Sequence, residues 1–84
     1  MGDTTDSIDL KYRHVFEEEL TGLQRRRAHD PSCTVADIEG TLKNLYIMDG
    51  NNWDGRSEML QAALSATIAA HELFIAEWKK ETQK

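Results

Sequence analysis

Cysteine, proline and positive charge are all scarce in this 84-residue chain. Cys33 is the sole cysteine, so no disulfide can close within the chain, and a reducing compartment, the cytoplasm, is the expectation. The short-interval Cys and His spacings of zinc fingers are lacking as well. Lys and Arg number 10 against 15 Asp and Glu, a net charge of −5. That balance repels phosphate backbones and argues against a general nucleic-acid partner. The start, Met1-Gly2-Asp3-Thr4-Thr5-Asp6, is acidic and polar, the reverse of a signal peptide. Asp6 also stands where a myristoylation signal prefers Ser or Thr. No unbroken run of about 18 apolar residues is present, and no membrane span is expected. A chain this short buries only about 60% of its unfolded surface. Without disulfides or metals it needs efficient helix packing or self-association.

What is present is helical periodicity. After a polar stretch, residues 1–6, expected to be a disordered tail, Asp6 or Ser7 can cap a first helix. Ile8, Tyr12, Val15, Phe16, Leu20 and Leu23 then recur at helical spacing. Arg25, Arg26 and Arg27 fall in the last turn, where positive charge suits the negative end of the helix dipole. Pro31 disfavours helical geometry at Asp30 and ends the helix. Thr34 opens a second helix, with Asp37 three residues on as a shorter variant of the capping box. Its stripe is Val35, Ile38, Leu42, Leu45 and Met48. Gly50 reads as a left-handed stop. Gly22 and Gly40 are interior costs, about 1 kcal/mol each relative to Ala, unless Gly40 allows a close approach.

The third helix carries the most information. One face holds Leu60, Leu64, Thr67, His71, Phe74 or Ile75, and Trp78; another holds Met59, Ala62, Ala66, Ala69, Leu73 and Ala76. The polar strip of Glu58, Gln61, Ser65, Glu72 and Lys79 is narrow. A surface helix has an apolar stripe somewhat over 100° wide, and this one exceeds half the circumference. The reading is an all-α, three-helix bundle over about 7–29, 34–49 and 56–81, with a long apolar carboxy-terminal helix, in one domain covering 7–84. Short connections favour antiparallel neighbours.

Several groupings invite chemistry. The loop from Asp49 to Glu58 is rich in Asp, Asn and Gly, but a calcium loop opened at Asp49 would place Trp53 at position 5, Asp54 at 6 and Leu60 at 12, and all three are wrong. Trp53-Asp54-Gly55 resembles the Trp-x-Gly turn of a family of small secreted helical hairpins. In that family one long helix precedes the turn, where Pro31 interrupts here, and a late Tyr-based export signal follows, which the segment from Phe74 to Lys84 lacks. The tripeptide is read as a turn, with Trp53 plugging the bundle's end. His14 and Glu18 have the i, i+4 spacing of a ligand pair and also of ordinary helix decoration; His71 is the mid-helix candidate for a third ligand. On the apolar face His71 needs a hydrogen-bond partner, and Thr67 is one turn away. Arg25, Arg26 and Arg27 with His29 could clamp an anion. A nucleophile needs a positioned base, and Cys33 has His29 as its sole nearby candidate.

These readings favour a non-enzymatic protein–protein interaction module with no cofactor and no metal. It is expected to pair with itself, or with another helical protein, rather than with nucleic acid or membrane. The third-helix seam would be Met59, Ala62, Ala66, Ala69, Leu73 and Ala76, with Arg25, Arg26 and Arg27 as a possible anion contact. The alternative is a small-ligand or metal-binding domain using the 49–58 loop. A further possibility makes the third helix central, flanked by the other two, with its alanines spent inside the subunit.

Overall fold

The computed structural model describes residues 4–50 and 58–82, with side chains from residue 7 onward. They form three helices and no strand: α1 (Thr4–His29), α2 (Val35–Gly50) and α3 (Glu58–Thr82). The fold is the all-α, three-helix bundle expected. α1 begins at Thr4, three residues before the expected start at about 7, because the Thr-Thr-Asp-Ser segment contains neither Gly nor Pro to stop a helical backbone.

The turn between α1 and α2 is built as its residue types dictate. α1 ends at His29, one residue before the position that Pro31 restricts. The Asp30 carboxylate accepts from the Ser32 backbone N–H at 3.0 Å and from its hydroxyl at 2.6 Å. The Asp30 carbonyl accepts from the Cys33 N–H at 3.0 Å. Thr34 and Asp37 then bond reciprocally: Asp37 N–H donates to the Thr34 hydroxyl at 3.2 Å, and Thr34 N–H donates to the Asp37 carboxylate at 3.0 Å. The Thr34 N–H thereby gains its partner, and the Asp37 N–H is shared between the Thr34 hydroxyl and the Thr34 carbonyl, the latter at 3.1 Å. Gly50 differs from expectation. It lies inside the last turn of α2, with φ outside the left-handed region.

Chain direction follows from the polar ties. Arg27, late in α1, reaches Glu81, late in α3, at 3.1 Å, so α1 and α3 run parallel. Glu39, early in α2, meets Lys79 at 2.6 Å, while Asp49 at its end accepts from Gln61 at 2.9 Å, so α2 and α3 are antiparallel. Both α1 and α2 pack along α3, and their backbones do not pack on each other. The consecutive helices α1 and α2 are therefore not backbone neighbours, and α3 is central. Its broad apolar circumference explains this: only the central position offers two flanks to cover.

The core sits at the end nearest the 30–34 turn. Leu23 of α1, Cys33 of the turn, Ile38 of α2, and Phe74 and Ile75 of α3 form one buried cluster, bordered by Leu20, Val35, Leu42 and Trp78. Ile38 has no exposed surface. Along the remainder of α1, Ile8, Val15, Phe16 and Leu20 are half-buried, and Leu23 is its single fully buried apolar residue among those described.

Candidate interaction surface

Burial divides the expected seam of α3. Ala66 has 0% exposure and Ala62 9%, and Ala70, on the same side, is also fully covered. These alanines cannot meet a partner while the subunit is folded. They lie around the helix from Gln61, Glu72 and Lys79, which face α2; small side chains there let neighbouring backbone come close. The seam of Met59, Ala62, Ala66, Ala69, Leu73 and Ala76 is thus corrected. Ala69 is half-buried, and Met59, Leu73 and Ala76 alone remain exposed.

A different apolar surface emerges from the way the helices end. The exposed large apolar residues are Leu10 and Tyr12 near the start of α1, Tyr46, Ile47 and Met48 near the end of α2, Met59 and Leu60 at the start of α3, and Leu73, with Tyr12, Met59 and Leu73 the least exposed at 36–38%. All but Leu73 lie at the end of the bundle remote from the 30–34 turn. Leu10 at 65%, Leu60 at 64% and Ile47 at 55% are exposed far beyond the requirements of a packed core. One end of the molecule is closed by a core, and the other presents apolar side chains to solvent. Periodicity could not reveal this, because it assigns each residue to a face and not to a level along the bundle.

Polar groups near that end are tied down. The Tyr46 hydroxyl donates to the Glu72 carboxylate. That hydrogen bond, with some burial and the negative charge of Glu72, raises the Tyr46 pKa above its ordinary 10.0. At the closed end the two hydrogen bonds from Ser32 lower the Asp30 pKa, helped by the nearby Arg26.

The three arginines do not form a clamp. Successive helical residues point about 100° apart, and here they diverge. Arg27 lies over the Trp78 ring, 4.1 Å from its centroid, and pairs with Glu81. Arg26 stands beside Asp30, and Arg25 lines a shallow groove with His14, Glu17, Glu18 and Thr21. The anion contact expected of Arg25, Arg26 and Arg27 is not assembled.

The remaining candidates are dispersed. His14 pairs with Glu18 at 3.2 Å on the exposed face of α1. His71 is buried, and its Nδ1 lies 2.8 Å from the Thr67 carbonyl, so that nitrogen carries the proton. Thr67 is the anticipated partner, though through its backbone, since its hydroxyl donates to the Ala63 carbonyl at 2.9 Å. No group of three or more His, Cys, Asp or Glu able to hold a metal occurs among the described residues. Cys33 is buried in the core and His29 is exposed. Of the 49–58 loop, residues 51–57, including Trp53, lie outside the described residues.

The expectation of no membrane span rested on the lack of an unbroken apolar run, and a second measure, mean hydropathy over a helix, applies to α3. By length and composition alone, Glu58–Thr82 could cross a membrane; its most apolar 18-residue window is 33% buried within the chain. Isolated polar residues such as Gln61, Ser65 and Glu72 interrupt the apolar run without lowering its average enough to exclude a span. A central helix of a bundle meets the same measure. Comparison with known proteins gives no match to a family model, to a curated protein or to a solved structure.

Proposed function

We propose that this protein is a non-enzymatic interaction module that pairs with a second copy of itself through its open end. The observation that carries the reading is the concentration of exposed Leu10, Tyr12, Tyr46, Ile47, Met48, Met59 and Leu60 at that end. These residues share one level of the bundle on all three helices, and a large apolar patch left in water marks an interaction site. A short chain gains most from such a contact, because its own core is small. α3 contributes its first turn, Met59 and Leu60, rather than its alanine ridge. The dispersal of Cys33, His14 and His71 favours binding over catalysis.

Sedimentation velocity over a range of concentrations tests the reading. The wild type is expected to move from monomer to dimer in the micromolar range. Ile47→Glu and Met59→Glu, placed on exposed positions, are expected to hold it monomeric with helical content unchanged. A wild type that stays monomeric throughout that range would remove the proposal.

A further inference from the structure

A second feature lies at the closed end. The last turns of α1 and α3 enclose a cleft of about 350 Å³, whose walls include Gln24, Arg27, Phe74, Glu77, Trp78 and Glu81. We propose that this cleft is a receptor for the guanidinium of an arginine on a partner protein, held between the Trp78 ring and the Glu77 carboxylate.

Trp78 is half-buried and meets Phe74 edge to face, with centroids 5.5 Å apart, so the orientation of its ring is set by packing. The chain itself shows what the ring accepts. The Arg27 guanidinium lies 4.1 Å from its centroid while the Glu81 carboxylate grips the same group at 3.1 Å. That is the cation–π arrangement, reinforced by an acid. Glu77 sits in the same cleft, one turn before Glu81, and is exposed. Among the described residues no ion pair or hydrogen bond reaches it. The cleft thus pairs an aromatic wall, one face of which Arg27 covers and which remains half-exposed, with an uncommitted carboxylate, beside an internal example of the ligand it would take.

Arginine suits it better than lysine. A guanidinium is planar and weakly hydrated, and it stacks and donates two parallel hydrogen bonds to one carboxylate. The net charge of −5 adds a longer-range attraction for a basic partner. An exposed stacking contact and an exposed ion pair are each weak, so a lone arginine binds in the millimolar range. The cleft therefore serves as one anchor of a wider contact. Self-association uses the opposite end of the bundle, so neither proposal depends on the other.

Titration of the full-length Trp53→Phe variant, in which Trp78 is the remaining indole, tests it. Acetylarginine amide is compared with acetylcitrulline amide, which has the same shape and no charge. The arginine compound is expected to change Trp78 emission saturably at millimolar concentration, and the citrulline compound is not. Glu77→Gln is expected to weaken the arginine effect by about threefold, the scale of an exposed ion pair, with an unchanged thermal melt. Equal responses to the two compounds, a response that never saturates, or indifference to Glu77→Gln overturns the proposal. Should Trp53→Phe not fold, amide chemical shifts of the wild type serve instead. Perturbations at 24–28 and 74–81 support the site, and perturbations elsewhere, or none, overturn it.

Discussion

Gly22 and Gly40 lie in helix interiors where an added methyl group would meet no atom within 4 Å. Neither allows a close approach, so each only adds backbone freedom to the unfolded chain. Gly22→Ala and Gly40→Ala are each expected to stabilise the bundle by about 0.5–1 kcal/mol, read from urea melts. Tyr46 and Glu72 make a different residue-scale statement. The phenol titrates at a higher pH in the folded chain than its unfolded value of 10.0. A raised pKa contributes stability that is complete below the unfolded value and is lost as pH rises through the folded one. Melting temperatures followed above pH 10 are expected to fall more steeply for the wild type than for Tyr46→Phe; equal slopes would show that the hydroxyl contact is immaterial. Asp30 works at the other extreme. Its lowered pKa gives stability above about 3.8 that is lost as pH falls through the folded value.

Among the elements, α3 decides the architecture. Ala66 and Ala70 are fully covered within the subunit, so their small size serves internal packing. Ala66→Glu would bury an unpaired carboxylate, and the expected result is an unfolded or severely destabilised chain, by more than about 3 kcal/mol. A folded, merely monomeric Ala66→Glu protein would restore the alanine ridge as an interface. Much of the element level was legible. Pro31, the Thr34–Asp37 box and the 3.6-residue spacing of Leu20, Leu23, Ile38 and Leu42 set helices that match within a few residues. The excess apolar width of α3 was legible as well. Which neighbour covers which flank was not, because a helical wheel records faces and leaves pairing open. The splitting of the seam follows from that gap: Ala62 and Ala66 share a face with Met59 and Leu73 by periodicity, and only the position of the flanking helices separates the covered from the exposed.

At the scale of the whole molecule, packing is graded from one end to the other. Leu23, Cys33, Ile38, Phe74 and Ile75 close the end at the 30–34 turn, and two ion pairs, Arg27–Glu81 and Lys79–Glu39, stand beside that core. Both pairs are partly exposed and add little by themselves; burial of the core side chains stabilises this end far more. At the far end the helices present Leu10, Ile47 and Leu60 to water. This gradient links fold to proposed function, since the poorly covered end is the end offered to a second copy. Native-state amide hydrogen exchange, at a concentration low enough to keep the protein monomeric, tests it most directly. Amides of 38–42 and 70–75 are expected to exchange only through global unfolding, and those of 11–15 and 44–48 through local openings of distinctly lower free energy. Equal protection of the two groups would contradict the account.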